Sequence, residues 1–272
     1  MKQISPTARK LLDLAPACMA EAAAIAMRHY NAVGDDARVM VKADDSPLTL
    51  ADLEVDALIG RFLLEHFPDI AVVTEERAAS HEQRLSGGMF FLVDPIDGTK
   101  EFINKRDEFT VNIALIEDGR PVAGIVCAPA LGTCYSGLVG EGAWLSGLGG
   151  EESKPIAVAV PDNSALRVVA SRSHLTEETK TFIDANPVAE CKNAGSSLKF
   201  CLLAKGEADL YPRFGPTMEW DTAAGHAVLL AAGGFVSAMD GKPMAYGKES
   251  YRNGWFIAGA SGVEFTTPDL KA

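Results

Sequence analysis

The chain has 272 residues, of which 47% are apolar and 23% are charged. That composition supplies a large hydrophobic core and excludes a disordered chain. The 25 lysine and arginine residues are outnumbered by 37 aspartate and glutamate residues, which gives a formal net charge of −12. Because the chain is acidic and its basic residues are not clustered, we expect no nucleic-acid partner.

The cysteines bear on the compartment in which the protein works. Their number is odd and no two of them form a C-x-x-C pair, which disfavours both a disulfide framework and a thiolate zinc site. A reducing compartment, the cytoplasm, is therefore predicted. The five are Cys18, Cys127, Cys134, Cys191 and Cys201.

The N-terminal segment predicts an amphipathic helix rather than a signal peptide. Leu11, Leu14, Cys18 and Ile25 fall on one helical face, and Asp13 interrupts the apolar run that follows the basic N-terminus. No segment of the chain reaches the roughly 20 apolar residues that a membrane span requires. We therefore expect no transmembrane segment.

The remainder of the first half predicts one more helix followed by short strands. Thr49 and Asp52 resemble a capping box, which places the start of a helix over 50–67. Asp118 and Gly119 form a turn between two alternating apolar runs, which is typical of a hairpin. The strand-like runs are 71–74, 89–93, 110–117, 122–128 and 133–139.

The second half alternates strand-like and helical runs from Lys154 onward. The run 223–239 predicts a buried helix that leads into a strand. This alternation indicates a layered α/β fold, whereas the first half is more antiparallel. We predict an N-terminal α+β half over 1–155, a C-terminal α/β half over 156–272, and an active site between them.

The segment 91–102 carries the clearest chemistry. An apolar strand runs into Asp94, and we expect it to end there because Pro95 has no N–H to donate to the ladder. Asp94 and Asp97, with the Ile96 carbonyl between them, supply hard oxygen ligands of the kind that Mg²⁺ prefers. The segment therefore predicts a magnesium site.

Gly98 and Thr99 follow these acids and predict a short helix whose N–H groups would face a phosphate. The structural alternative is that Asp-Pro and Asp-Gly are common turn pairs and that Asp97 only caps a helix. The whole string at the end of a buried strand favours the metal and phosphate interpretation.

Two further acids are candidate ligands. Glu75 follows the run 71–74, so it would lie beside Asp94 if the two strands are neighbours; otherwise it is a solvated loop charge. Asp221 opens the small-residue helix, and the alternative there is a plain helix cap.

Taken together, these motifs resemble the inositol monophosphatase superfamily of Mg²⁺-dependent, lithium-sensitive phosphatases. The resemblance covers about 42–255. It rests on Glu75-Glu76, on Asp94-Pro95-Ile96-Asp97-Gly98-Thr99 and on Trp220-Asp221-Thr222-Ala223-Ala224-Gly225. Four other runs are similar to the bacterial 3'(2'),5'-bisphosphate nucleotidases of the CysQ type. They are Lys100-Glu101-Phe102, the run 171–174 from Ser171 to His174, the run 195–201 and the run 211–216.

The resemblance implies a fold and a set of site residues. The fold would be the alternating α-β-α-β-α sandwich of the inositol monophosphatase and fructose-1,6-bisphosphatase type. Two or three Mg²⁺ ions would be held by Glu75, Asp94, the Ile96 carbonyl, Asp97 and Asp221. Asp52 and Thr99 would be the catalytic pair that orients and deprotonates water, although Asp52 also fits a capping box. The substrate would contact Glu75, Ile96, Asp97, Gly98, Thr99, Ser171, Ser196, Lys199, Arg213 and Asp221, with surface charge as the alternative for Lys199 and Arg213.

The activity implied by the resemblance is hydrolysis of the 3'-phosphate of adenosine 3',5'-bisphosphate to AMP and phosphate. It extends to the 5'-phosphosulfate analogue and would belong to sulfur metabolism. The alternatives are an inositol-phosphate or sugar-phosphate phosphatase, and a binding protein with vestigial activity. The resemblance also allows a homo-oligomer and a peripheral association with the cytoplasmic face of the inner membrane.

Overall fold

A computed structural model describes residues 4–32, 40–41, 47–82, 88–149, 152–171 and 176–270. The α-helices are α1 (Pro6–Tyr30), α2 (Leu50–His66), α3 (Ala78–His81), α4 (Thr99–Ile103), α5 (Glu177–Asp184), α6 (Leu198–Ala204) and α7 (Glu219–Ala231). The strands of the first half are β1 (Met40–Val41), β2 (Pro47–Leu48), β3 (Ala71–Thr74), β4 (Met89–Asp97), β5 (Thr110–Glu117), β6 (Arg120–Ala128), β7 (Thr133–Leu138), β8 (Gly142–Gly147) and β9 (Lys154–Ile156). Those of the second half are β10 (Leu166–Ser171), β11 (Val188–Ala194), β12 (Leu210–Arg213), β13 (Thr217–Met218), β14 (Gly234–Ala238), β15 (Arg252–Asn253) and β16 (Phe256–Ala260).

The N-terminal helix forms as predicted, but its buried face differs from the predicted one. Leu11 and Cys18 are buried, whereas Leu14 is 37% exposed and Ile25 is only partly buried. The buried stripe instead consists largely of alanines such as Ala15 and Ala22. Small side chains let α1 pack closely on α2, so the contact follows the alanines rather than the largest apolar residues.

The capping box of α2 is confirmed. The Thr49 main-chain N–H donates to Asp52 Oδ2 at 2.7 Å, and the Asp52 N–H donates to Thr49 Oγ1 at 3.4 Å. The helix ends at His66, immediately before Phe67 and Pro68. This fixes Asp52 at the start of α2.

A seven-stranded sheet carries the first half, with the strand order β3-β4-β5-β6-β7-β8-β9. Strand β3 pairs with β4 in parallel, and each of the other neighbouring pairs is antiparallel. The predicted hairpin is β5–β6, whose turn residues Asp118 and Gly119 both have positive φ angles, 51° and 72°. Two successive positive φ values are typical of the tight turn that favours Asp-Gly.

Strand β4 does not end at Asp94, so that prediction was wrong. The strand continues to Asp97, and its pairing with β5 shifts register between Asp94 and Asp97. Pro95 and Ile96 lie in this irregularity, where a missing N–H costs the ladder nothing. The bulge is what separates the two acids and turns Asp97 toward the second half of the chain.

The second half forms a mixed five-stranded sheet with the order β11-β10-β12-β16-β14. Strand β10 is parallel to both of its neighbours, whereas β16 is antiparallel to β12 and β14. The run 223–239 forms most of α7 and then β14, as predicted. The alternation of helices and strands in this half is therefore confirmed.

The layers follow from which residues share a core. On one face of the seven-stranded sheet, Phe91 and Val93 pack with α1 and α2. On the other face, Phe90 and Leu92 pack with α6 and α7, which in turn cover the five-stranded sheet. Helix α5 packs on the outer face of that second sheet through Phe182. The result is the predicted α-β-α-β-α sandwich.

Helix α7 lies very close to the first sheet because glycines face it. A Cβ on Gly124 of β6 would lie 2.4 Å from the Ala224 carbonyl oxygen, and one on Gly137 of β7 would lie 2.6 Å from Val228 Cα.

The seven-stranded sheet ends with β9 at Ile156, yet α7, which comes later in the chain, covers it. The predicted division into an N-terminal half over 1–155 and a C-terminal half over 156–272 stays a prediction.

One expectation about the cysteines requires correction. Cys127 and Cys134 lie directly opposite each other on β6 and β7 and form a disulfide. The odd number and the absence of a spacing motif could not reveal this pair, because the strand register alone brings the residues together. Cys18, Cys191 and Cys201 are free thiols.

Within the described residues, no helix is both long enough and apolar enough to span a membrane.

Candidate active site

A cleft between the two sheets collects most of the predicted site residues. Asp94, Ile96 and Asp52 lie buried outside its lining, with exposures of 1% each. The predicted residues that line it are Glu75, Asp97, Gly98, Thr99, Ser171, Ser196, Lys199, Arg213 and Asp221. The fold therefore brings together residues that are more than 140 positions apart in the chain.

Glu75 reaches the cleft because β3 and β4 are parallel neighbours. Thr74 is in register with Val93, and the Glu75 main-chain N–H donates to the Val93 carbonyl at 3.2 Å. Glu75 and Asp94 therefore leave the sheet at the same edge, as the sequence led us to expect.

Asp94 is the most deeply buried of these acids. Its Oδ1 atom has no hydrogen-bond partner in the part of the chain that the structure describes. Burial, followed by the charges of Glu75, Asp97 and Asp221, raises the pKa of Asp94 well above its ordinary value. A buried carboxylate oxygen without a donor is costly unless a cation or a proton satisfies it.

Asp97 sits under opposing influences. Burial raises its pKa to about 6, while the positive charge of Lys199 and hydrogen bonds from Ser197 act in the opposite direction. The Ser197 main-chain N–H donates to Asp97 Oδ2 at 2.6 Å. The second half of the chain thus supplies both the charge and the donor that favour an ionised Asp97.

Asp221 is the third residue of α7 and takes part in its N-terminal cap. Its Oδ2 accepts a hydrogen bond from the Met218 main-chain N–H at 2.9 Å. Burial, followed by Asp97 and Glu75, raises its pKa well above the ordinary value. The capping role that was the alternative is therefore real, and the same carboxylate also lines the cleft.

The donor set fits Mg²⁺ in its chemistry. Four buried or half-buried carboxylates and the Ile96 carbonyl are hard oxygen ligands, and a cation would satisfy the orphaned Asp94 Oδ1. No three or more His, Cys, Asp or Glu side chains within the described ranges already form a closed metal-binding group. Carboxylates that share one site repel each other, so a bound cation would favour their closer approach.

The catalytic pair is only partly assembled. Asp52 Oδ2 accepts hydrogen bonds from Thr49 Oγ1 at 2.5 Å and from the Thr49 N–H at 2.7 Å. Thr99 Oγ1 donates to the Ile96 carbonyl at 3.2 Å. The interaction of Asp52 with Thr99 therefore stays a prediction.

Gly98 provides the turn that leads from β4 into α4. Its φ angle is +89°, and a Cβ there would lie 2.2 Å from Ser196 Oγ. Both the left-handed backbone and the close contact require glycine at this position.

The two predicted substrate cations are buried, so the surface-charge alternative is wrong for both. Lys199 is 5% exposed and Arg213 is 7% exposed. Lys199 Nζ donates to the Ser196 carbonyl at 2.6 Å, and burial lowers the pKa of Lys199 to about 8. Arg213 Nη2 donates to the Pro216 carbonyl at 2.9 Å, while its buried Nε has no partner among the described residues.

One of the two predicted serines ends a strand, and the other lies in a turn. Ser171 ends β10 and is buried; Arg172, Ser173 and His174 of the same motif lie outside the described residues. Ser196 has a positive φ of 50°, and its Oγ lies 2.8 Å from the Asp97 carbonyl and 2.7 Å from the Glu108 carbonyl. Ser196 thereby ties the second half of the chain to Asp97 at the end of β4 and to Glu108.

Sequence reasoning missed residues that contact the predicted ligands. Asn112 and Ser197 both reach Asp97, and Tyr211 lies under Lys199 with its ring centroid 5.5 Å from Nζ. Ser197 lies in the run 195–201 and could have been found there. Asn112 carries no local signal, because only the pairing of β5 with β4 brings it opposite Asp94.

Comparisons with known proteins agree with this architecture. Residues 8–264 match the inositol monophosphatase family. The 3'(2'),5'-bisphosphate nucleotidase CysQ of Escherichia coli K12 is 46% identical over 219 residues, covering 80% of this chain and 87% of that protein. The protein of the same name from Buchnera aphidicola is 39% identical over 255 residues, covering 93% and 94%.

A solved structure adds the fold to the sequence match. CysQ from Bacteroides thetaiotaomicron, described as a bacterial member of the inositol monophosphatase family, superposes with a TM-score of 0.76 at 37% identity. The match covers 89% of this chain and 94% of that one. The resemblance drawn from the motifs is thus confirmed, and this chain belongs to the inositol monophosphatase family.

Proposed function

We propose that this chain is a Mg²⁺-dependent phosphatase that hydrolyses the 3'-phosphate of adenosine 3',5'-bisphosphate. The products are AMP and inorganic phosphate, and the 5'-phosphosulfate analogue is a second substrate. One observation carries the proposal: a cleft lined by Glu75, Asp97 and Asp221 also holds the buried cations Lys199 and Arg213. The similarity to proteins named bisphosphate nucleotidases supports the same choice of substrate.

Glu75, Asp94, the Ile96 carbonyl, Asp97 and Asp221 would hold two or three Mg²⁺ ions. Bound Mg²⁺ would neutralise phosphate oxygens and lower the pKa of a water molecule. The orphaned Oδ1 of Asp94 and the raised pKa values of the acids support this assignment, because both describe a site that lacks positive charge.

The chain's own groups would bind the substrate and move the proton. Gly98 and Thr99 at the start of α4 would contact the phosphate that is removed. Thr99 Oγ1 would orient the attacking water, and Asp52 would take up the proton. Thr99 Oγ1 donates to the Ile96 carbonyl, so this hydroxyl would have to turn away if that carbonyl bound a cation.

Lys199 and Arg213, together with Ser171 and Ser196, would hold the part of the nucleotide that lies away from the hydrolysed phosphate ester bond. A chain with a net charge of −12 can bind an anionic substrate because charge acts locally in a buried cleft. Lys199 and Arg213 both line this cleft. Substrate affinity is therefore expected to depend on both the side-chain cations and Mg²⁺.

The test is phosphate release from adenosine 3',5'-bisphosphate, inositol 1-phosphate and fructose 1,6-bisphosphate, each with and without Mg²⁺. We expect kcat/KM for the nucleotide to exceed that for either sugar phosphate by more than about tenfold, a difference of about 1.4 kcal/mol. A preference for inositol 1-phosphate would contradict the nucleotidase assignment and favour an inositol-phosphate or sugar-phosphate phosphatase. Nucleotide binding without phosphate release would indicate a binding protein.

The compartment and the assembly state of the protein are separate questions. We propose the cytoplasm, which is supported by three free thiols, among them the exposed Cys191. The disulfide between Cys127 and Cys134 is the feature that opposes this location. Homo-oligomer formation and peripheral membrane association stay predictions.

A further inference from the structure

Asn112 is a buried polar residue at the floor of the site that the proposed reaction does not use. It lies on β5 directly opposite Asp94 and is 1% exposed. Its Nδ2 atom lies 3.2 Å from Ser197 Oγ and 3.4 Å from Asp97 Oδ2. The Asn112 side chain thus contacts both the predicted metal ligand Asp97 and Ser197 in the second half of the chain.

Ser197 also contacts Asp97 and in addition contacts Asp221, a second predicted ligand. Its main-chain N–H donates to Asp97 Oδ2 at 2.6 Å, and its Oγ donates to the Asp221 carbonyl at 2.7 Å. The residue is 1% exposed, so these bonds are shielded from water. One serine therefore contacts both Asp97 and Asp221.

The hydrogen bonds have a fixed direction. A serine hydroxyl has one proton, and because Ser197 Oγ gives it to the Asp221 carbonyl, it accepts from Asn112 Nδ2. The donors from Ser197 and Asn112 both reach the Oδ2 atom of Asp97. Holding one carboxylate oxygen in this way fixes the rotation of the carboxylate and the direction in which the other oxygen points.

We propose that Asn112 and Ser197 are positioning residues that set the orientation and separation of Asp97 and Asp221 before a divalent cation binds. The inference rests on the proposed function, because the two aspartates matter in this way only if they are metal ligands. Like-charged carboxylates repel one another, so an uncharged donor network is needed to keep them close in the absence of metal. Partners of this kind orient metal ligands in many proteins, and their loss costs about 10–100-fold in metal affinity or activity.

The experiment measures Mn²⁺ and Mg²⁺ binding to the full-length, substrate-free protein by calorimetry. For each of the two metals, we expect Asn112→Ala and Ser197→Ala each to raise the dissociation constant of one bound ion by about 10–100-fold. Since both act through one network, the double variant should lose less than the product of the two single effects. The matched control is Asn186→Ala, which removes hydrogen bonds to Phe182 and Thr266 outside the cleft and should change the constant by less than about twofold.

A second substitution separates positioning from simple packing. Ser197→Thr keeps the hydroxyl, so metal binding should return to within a few-fold of the wild type, which a role in packing alone would not produce. Should Asn112→Ala fail to fold, Ser197→Ala decides the question, because it removes a single oxygen atom and keeps the main-chain donor to Asp97.

Metal dissociation constants in the Asn112 and Ser197 variants that match the Asn186→Ala control would overturn the inference. A wild-type protein that binds metal and releases phosphate would leave the proposed function intact in that case. A wild-type protein that binds no divalent cation would overturn both, and the wild-type titration shows this before any variant is compared.

Discussion

At the scale of single residues, the acids of the cleft lie where burial opposes their ionisation. Burial raises the pKa values of Asp94 and Asp221 well above the ordinary value and that of Asp97 to about 6. Each acid also receives a coulombic contribution from other carboxylates in the cluster. Replacing one of these acids by its amide should therefore not lower the stability of the fold.

Asp97→Asn tests this arrangement. The amide keeps the size of the side chain and can accept from the Ser197 N–H, but it lacks the charge that a metal needs. We expect turnover to fall below a tenth of wild type at saturating Mg²⁺, a barrier increase above about 1.4 kcal/mol. The melting temperature of the metal-free variant should be equal to or above that of wild type, because one repelling charge is gone.

Asp118→Asn, on the exposed β5–β6 turn, is the isosteric control and should leave both turnover and the melting temperature unchanged. Turnover of Asp97→Asn above a tenth of wild type would contradict the metal-ligand assignment of Asp97.

Arg213→Gln tests substrate recognition. Lys199 is less suitable because its Nζ also holds the Ser196 carbonyl, whereas Arg213 bonds only to the nearby Pro216 carbonyl among the described residues. A hydrogen bond to a charged group contributes about 1.5–3 kcal/mol. The KM for adenosine 3',5'-bisphosphate should therefore rise by roughly one to two powers of ten, with little change in kcat.

Steady-state kinetics on the nucleotide and on inositol 1-phosphate check this result. Arg252→Gln, an arginine on the exposed side of β15, serves as the control and should keep the wild-type KM. A parallel loss of kcat on both substrates would mean that Arg213 serves the fold or the common phosphate site.

At the scale of elements, α7 connects the core to the site. Its N-terminus carries Asp221, and its body lies against glycines of β6 and β7. The position of one proposed ligand is thus set by how closely a helix approaches a sheet.

Gly124→Ala should push α7 outward, because the new Cβ would meet the Ala224 carbonyl at 2.4 Å. Overpacking of this kind costs about 1–3 kcal/mol of unfolding free energy. Urea unfolding measures that loss, and a Mg²⁺ titration of activity should show a higher half-saturating concentration. Gly254→Ala, where a Cβ meets nothing within 4 Å, is the control; equal stability of the two variants would contradict the close-packing argument.

Local signals predicted several elements well. The capping box at Thr49 and the Asp118-Gly119 turn each fix a short stretch through nearby groups, and both formed as expected. The parallel pairing that brings Glu75 beside Asp94 was predicted as a condition, and the sheet met it.

Features that depend on pairing at a distance were not predicted. The bulge after Asp94 needs β5 as a partner, and the Cys127–Cys134 pair needs the β6–β7 register. Leu14 is exposed because alanines determine how closely α1 approaches its neighbours. Asn112 became visible as a candidate only when Ser197 was brought to it from 85 residues away.

At the scale of the whole molecule, the buried His226 links stability to pH. It lies on α7 with its Nδ1 2.9 Å from the Tyr246 hydroxyl, and burial lowers its pKa to about 3. In the unfolded chain its pKa is about 6.5, so between about pH 3 and pH 6.5 the unfolded state binds a proton at this residue and the native state does not. Its contribution to stability is complete above about pH 6.5 and is lost as the pH falls toward about 3.

His226→Gln should remove this dependence while keeping a partner for Tyr246. Between pH 7 and pH 5 the wild type should lose about 2 kcal/mol of unfolding free energy through this residue. Urea unfolding at the two pH values measures the difference. An equal loss in the variant would show that His226 is not the group responsible.

The chain order of α7 has a consequence for synthesis. The seven-stranded sheet is complete once β9 has left the ribosome, but the helix that covers its inner face is made only after β10 to β13. At roughly 5–20 residues per second, several seconds pass in which Phe90, Leu92 and their neighbours face the solvent. We therefore expect chaperones to cover this apolar surface of the nascent chain during that interval. A fragment that stops at residue 155 should aggregate rather than fold.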